Sequence, residues 1–271
     1  MKSYNSEELT TAQALSLVDQ ISLVGIPEIH FTGGEPIMRK DIIELMKYSS
    51  KKGLKTVLET NGTLIDKEVA KQVKSSGVAY VKVSVDGPLQ IFEKIRGENT
   101  YNKTIKGITN LVEINQAVEI DTDLSVLNKD KISDIIDLAN KLSVNSFRIR
   151  LVLPIGNDTK NKSFLLSPKE IVEVYKRIQE KKIRYRDTIT IYDDLILNES
   201  IERLATKSFT VDPYGYIRPY PFSSIKVGNI KNIELSKILE ILPSTLPKIK
   251  VDVKRIQEYF DRIHNYLYKL K

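Results

Sequence analysis

Short β-branched runs recur along the first part of the chain, each followed by a polar turn and then by a stretch of helical spacing. The runs are "EIHFT" at 28–32, "KTVLET" at 55–60, "AYVKVSVD" at 79–86, "VEIDTDLSV" at 118–126 and "SFRIRLVLP" at 146–154. The intervening segments near 41–52, 66–75, 101–115 and 131–142 carry apolar residues at three- and four-residue steps, which predicts helices. A strand that reaches its neighbour through a helix must run parallel to it, so this rhythm predicts a parallel sheet covered by helices. Repeated right-handed crossovers make either a doubly wound sheet or a barrel. The chain opens on a helical stretch at 9–24, with Thr10 or Thr11 as its cap and Gly25 and Pro27 as its stop. For such an architecture a front unit reads as missing.

After Pro154 the pattern changes. Residues 168–181 predict a helix that starts with Pro168 behind a Ser167 cap, and "TITIY" at 188–192 predicts a strand. "FTVDPYGYIRPYPF" at 209–222 alternates on both sides of Asp212-Pro213-Tyr214-Gly215, a hairpin signal. From about 249, Val253, Ile256, Phe260, Ile263, Leu267 and Leu270 step by three and four, as on an amphipathic helix that covers its own core or docks a partner.

Parallel α/β folds bind ligands beyond the carboxyl ends of their strands, so the residues there carry the functional information. In order they read Thr32-Gly33-Gly34-Glu35-Pro36, Glu59-Thr60-Asn61-Gly62-Thr63, Ser84-Val85-Asp86-Gly87-Pro88, then Thr122, Asp123 and Ser125, then Arg148, Arg150 and Pro154. Singly, each is an ordinary turn. Together they put small residues where backbone can come close and one polar group where it can reach inward. A glutamate beside two glycines suits an ammonium group; Asn61 and Ser84 suit a carboxylate or a ribose hydroxyl.

In this order the elbows resemble the radical S-adenosylmethionine (radical SAM) enzymes. "FTGGEPIMRKDI" looks like that family's GGEP motif, "ETNGTLI" like the element after the next strand, and "VSVDGP" like the one after that. The C-terminal hairpin followed by "VGNI" resembles the SPASM or twitch extension of members that mature hemes, cofactors or peptides. The resemblance implies a partial (β/α)6 TIM-like barrel, here without its first strand, plus a small hairpin-and-helix extension. It implies a barrel core over 1–160, the last barrel unit and a connection over 161–205, and the extension over 206–271. It also implies an S-adenosylmethionine site built from Gly33, Gly34, Glu35, Pro36, Asn61, Ser84, Asp86 and Ser125. Gly33, Gly34 and Glu35 would take the methionyl amino group, and Asn61 and Ser84 would lie near its carboxylate or the ribose.

The family's 4Fe–4S cluster needs a CxxxCxxC loop after the first strand, and this chain of 271 residues contains no cysteine. Tyr220, between Pro219 and Pro221, stands where the extension commonly has a cluster cysteine, and "SIERLAT" at 200–206 lacks its partner. Two expectations follow: a cluster-less pseudoenzyme that serves as an accessory, or an active enzyme whose start was placed too far downstream. Substitute chemistry is scarce. The two histidines, His30 and His264, cannot build a zinc site or a catalytic triad, and His30 in "EIHFT" reads as a packed strand residue. Asp121, Asp123, Asp193 and Asp194 offer only hard oxygen, and the adjacent Asp193-Asp194 reads as a solvated pair without metal.

The net charge of +7 comes from 42 basic and 35 acidic residues interspersed along the chain, which argues against a nucleic-acid groove. No apolar run is long enough to span a bilayer and no leader pattern opens the chain, so the expected location is the cytoplasm, off the membrane. The expected partners are a catalytic relative or a substrate peptide.

Overall fold

The computed structural model describes residues 8–154, 163–195, 208–219, 223, 225–245 and 258–266. Six parallel strands form one sheet in sequential order: β1 (Glu28–Phe31), β2 (Lys55–Thr60), β3 (Tyr80–Ser84), β4 (Val118–Leu124), β5 (Ser146–Leu151) and β6 (Thr190–Asp193). Every neighbouring pair is parallel, with Phe31 beside Leu58, Thr60 beside Val83 and Ser84 beside Asp121. The parallel sheet expected from the strand rhythm and the partial α/β barrel implied by the resemblance are therefore present, with the Gly-Gly strand β1 at one edge of the sheet.

Between the strands run α2 (Ile42–Lys51), α3 (Lys67–Ser75), α4 (Leu89–Arg96), α5 (Tyr101–Glu113), α6 (Ile132–Lys141) and α7 (Pro168–Arg184). Their starts follow capping chemistry. Asp66 accepts from the amide of Val69 ahead of α3, and Ser167 and Glu170 form a reciprocal capping box ahead of α7. The eight-residue α4, between Pro88 and Gly97, has no counterpart in the sequence reading because its two turns are too short to show a period.

One face of the sheet meets these helices. Leu58, Val81, Val83, Ile120, Phe147 and Ile149 are fully buried there with Met46, Ile108, Leu111, Ile135 and Ile136. Each such side chain contributes roughly 1.5–3 kcal/mol of burial. A second, smaller core lies under α1 (Thr11–Leu23), which Thr10 and Gln13 cap reciprocally. Leu17, Val18 and Ile21 of α1 pack with Ile217, Leu235 and Ile238. These last come from a three-stranded antiparallel sheet, β7 (Thr210–Val211), β8 (Tyr216–Arg218) and β9 (Gly228–Asn229), and from α8 (Leu235–Thr245). The hairpin turns where its sequence indicates: the Asp212 carboxylate accepts from the amides of Tyr214 and Tyr216.

Residues 258–266 form α9. Phe260 and Ile263 of the apolar stripe are buried in the main core beside Tyr259, whose hydroxyl donates to Leu166 O at 3.0 Å. This part of the stripe covers the chain's own core. Val253, Ile256, Leu267 and Leu270, together with Tyr220 and "SIERLAT", lie outside the described residues. Among the described residues no helix is long and apolar enough to cross a membrane.

Candidate functional site

The β1 and β2 elbows are tied together by Glu35. Its Oε1 accepts from Thr60 Oγ1 at 2.7 Å and from the amide of Ile37, and its Oε2 accepts from the amide of Asn61 at 2.8 Å. Both carboxylate oxygens are thus engaged within the chain, and the surface this elbow presents outward is the Gly33-Gly34 backbone. Gly33 has φ of +137°, a region that glycine alone enters readily. Among the described residues a Cβ at Gly33 or at Gly34 would meet nothing within 4 Å. Pro36 is buried at the start of a short 3-10 turn that Glu35 caps.

Asn61 closes a local turn, its Oδ1 accepting from the amide and hydroxyl of Thr63, which leaves its amide nitrogen outside that turn. Helix α5 holds this elbow from behind. Thr104 donates to Asn61 O and Asn110 to Ile65 O, and a Cβ on Gly107 would come within 2.2 Å of Gly62 O. Only glycine lets the helix lie this close.

The β3 and β4 ends form a second cluster. Ser84 is half-buried at the end of β3. Asp86 is buried, with its carboxylate accepting from the amide of Asp123 and paired with Arg96 Nε at 2.5 Å. Ser125 is buried and bonded to Asn128, whose amide in turn donates to Asp86 O and Asp123 O. Asn128, fully buried, knits the two elbows together and was absent from the sequence reading, which had no local signal to find it. Asp86 and Ser125 therefore act first as braces, while Gly33, Gly34, Asn61 and Ser84 border the same rim of the sheet.

The concave face of the sheet carries charge. Alternate residues of five strands line it: Glu28 and His30, Lys55 and Glu59, Tyr80 and Lys82, Glu119, Asp121 and Asp123, Arg148 and Arg150. Ion pairs and hydrogen bonds run across it without a break. Lys55 reaches Glu28 at 3.1 Å, His30 lies between Glu28 and Glu59 at 2.5 and 2.7 Å, and Lys82 lies between Glu59 and Glu119 at 3.1 and 3.9 Å. Arg148 then joins Glu119 at 3.1 Å to Asp194 at 2.9 Å and stacks on Tyr192. Burial works to raise the Glu59 carboxyl, yet the hydrogen bond from His30 and the charge of Lys82 prevail and hold it down to about 2.

Two expectations are corrected here. His30 is not packed into the core: its ring stands on the open face with a carboxylate at each nitrogen, because the strand's alternation turns Ile29 and Phe31 the other way. Asp193 and Asp194 are not a solvated pair. Asp193 turns toward α7, where Lys182 and Gln179 bind it, while Asp194 turns to Arg148 on the concave face.

Farther along the same face, Asp121 pairs with Arg150 through Oδ2, while its Oδ1 is buried without a partner among the described residues. Burial pushes this carboxyl up to about 6, against the pull of Arg150 and with the help of Asp123.

Residues 1–142 match the profile of the Radical SAM superfamily. An AdoMet-dependent heme synthase of Nitratidesulfovibrio vulgaris is 34% identical over 258 residues, which cover 85% of this chain and 70% of that protein. An Fe-coproporphyrin III synthase of Methanosarcina barkeri is 40% identical over 129 residues, 47% of this chain and 32% of that protein, so the chain spans about a third of that relative's length. SuiB of Streptococcus suis bound to S-adenosylmethionine superposes with a TM-score of 0.74 at 15% identity, covering 91% of this chain and 62% of SuiB. Bound to its precursor peptide SuiA, SuiB superposes with a TM-score of 0.70 at 14% identity, covering 87% and 59%. At such identity this likeness concerns the fold.

Proposed function

The chain belongs to the radical SAM superfamily, and from that membership we propose that its elbows bind S-adenosylmethionine while its own residues hold no iron–sulfur cluster. The observation that carries the binding half is Gly34. Its φ lies outside the left-handed region and a Cβ there would touch nothing among the described residues, so neither backbone conformation nor the packing of those residues calls for glycine. Close approach of something from outside the chain does. With Gly33 beside it and the Asn61 amide and Ser84 on the neighbouring elbows, the rim fits a methionyl group bound through backbone, carboxamide and hydroxyl. In this reading Glu35 sets the spacing between the first two elbows instead of contacting the ligand with a free carboxylate.

The cluster half rests on donor chemistry. A 4Fe–4S cluster is held by thiolates, and none of the 271 residues is cysteine. The residues present do not fit that group, so any cluster that works with this barrel takes its ligands from outside these residues. The family's relatives include heme synthases and a fold neighbour solved with a precursor peptide. They support an accessory role in cofactor or peptide maturation, through a substrate peptide or a catalytic relative.

Calorimetric titration with S-adenosylmethionine tests the binding half, using Gly34→Ala, a variant with no internal clash. Saturable heat in the native chain and at least a tenfold weaker affinity in the variant, at unchanged melting temperature, are expected. Equal affinity in both removes the elbow from the site. Upstream in-frame DNA that encodes CxxxCxxC would replace the accessory role with a catalytic one.

A further inference from the structure

The charge on the concave face is not evenly balanced. Across the sheet from β1 to the end of β6, the acids Glu28, Glu59, Glu119 and Asp194 alternate with Lys55, Lys82 and Arg148, and His30 bridges two of them. Near the carboxyl ends of β3, β4 and β5 the ratio shifts. Among the described residues Asp86, Asp121 and Asp123 pair with Arg96 and Arg150, and Arg96 is committed to Asp86. Arg150 must then serve two aspartates. It bonds Asp121 Oδ2, while its Nε stands 3.9 Å from Asp123 Oδ1, beyond hydrogen-bond reach. The nearest further cation, Lys82, already lies between Glu59 and Glu119.

An independent observation points the same way. Asp121 is only 7% exposed, and among the described residues its Oδ1 has no hydrogen-bond partner. A buried carboxylate oxygen left unmet costs free energy that an incoming donor recovers. Asp123, by contrast, has half of its side chain open to solvent, so a ligand on this face can reach it from the concave side, next to Asp121.

We infer that Asp121 and Asp123 recognise an organic cation, the ammonium or guanidinium group of a substrate lying on the concave face. The inference rests on the reading of this rim as a ligand cradle and names the class of substrate it takes. A lysine or arginine side chain of a peptide and a small free amine share that chemistry. A polycarboxylate tetrapyrrole or a nucleoside triphosphate does not: either would bring negative charge against an acid excess, and like charges juxtaposed at a site oppose binding. Among the superfamily's varied substrates, the electrostatics thus favour a cationic one. The elevated pKa of Asp121 agrees, since a nearby cation would return the carboxyl toward its ordinary value.

The test uses the full chain and two tripeptides, acetyl-Ala-Lys-Ala-amide and its norleucine isostere, titrated at low salt with and without S-adenosylmethionine. The lysine peptide is expected to bind at least tenfold more tightly than the norleucine peptide. The double variant D121N/D123N is expected to erase that preference while binding S-adenosylmethionine within twofold of the native chain. Displacement of the peptide by cadaverine at equal concentration marks a small amine as the ligand, and its failure to displace marks a peptide. No lysine preference, a preference that survives in the double variant, or tighter binding of a tetracarboxylate porphyrin than of the lysine peptide overturns the inference. Loss of S-adenosylmethionine affinity in the double variant, with peptide binding intact, also overturns it, because the aspartates then serve the sulfonium. If the native chain binds no S-adenosylmethionine yet keeps an Asp121-dependent lysine preference, the cofactor reading fails and this one stands.

Discussion

On the helix side of β3 stand Val81 and Val83, both fully buried; on its concave side stand Tyr80, Lys82 and Ser84. The same contrast recurs on β5, where Phe147 and Ile149 point to the helices and Arg148 and Arg150 away from them. One sheet thus has two surfaces held by different physics. The helix side is stabilised by removing apolar area from water, a term that is additive and insensitive to pH. The concave side is stabilised by opposite charges meeting across strands, a term that depends on each partner being present. A face built in the second way can be rewritten for a ligand without dismantling the core behind it.

The largest effect should come from the apolar face. Phe147→Ala, in the middle of the main core, is expected to lower unfolding free energy by about 3–5 kcal/mol in a denaturant titration, with no change in slope between pH 4 and pH 8. A pH-dependent loss would break the separation of the two faces.

Lys82→Met comes next. It leaves Glu59 and Glu119 facing each other without their shared cation, and a loss of about 2–4 kcal/mol at pH 7 is expected. Glu59 is held at about 2, below the ordinary 4.5, so its ionised form adds stability above about pH 4.5 that is lost as pH falls toward 2. Lys82 supplies part of that stability. The gap between the native chain and the variant should therefore close over the same window, and a gap that stays constant down to pH 2.5 would show that Lys82 acts through packing.

The smallest effect is a gain. Folded Asp121 keeps its proton up to about pH 6, whereas an unfolded aspartate releases it near 3.8. Its ionised form therefore costs stability, fully so above pH 6 and not at all below 3.8. The distance between those two values, which already includes the pull of Arg150, sets a ceiling of about 3 kcal/mol. Asp121→Asn should raise stability by about 1–2 kcal/mol at pH 7, with the gain fading between pH 6 and pH 4. A loss at pH 7 would mean that the Arg150 pair outweighs burial and that this end of the concave face resembles the other.

Much of the scaffold was legible because it depends on local chemistry. Helix α7 starts at Pro168 behind Ser167, and the hairpin turns at Asp212, because caps and turns are decided by residues a few positions apart. The elbows were legible for the same reason. The ion-pair network was not. Reading "EIHFT" and "SFRIRLVLP" as apolar runs was correct for one residue in two, and the charged residues between them have no local partner to betray their role. Glu35 shows the limit most clearly: its neighbours indicate an exposed elbow acid, while its actual partners, Thr60 and Asn61, lie some 25 residues away in sequence.

The amino-acid sequence alone determined the strand and helix rhythm, the Gly-Gly and Asn-Gly elbows and the lack of any thiolate, since each follows from residue type or short-range spacing. Tertiary structure decided which charges meet. Strand register brings Glu59 beside Lys82, Lys82 beside Glu119 and Asp123 beside Arg150, and only that alignment turns isolated polar residues into a continuous network with, among the described residues, one unmet carboxylate oxygen. Coulomb interactions and hydrogen bonds act over a few ångströms of space, and the chain covers that distance only after the sheet has formed.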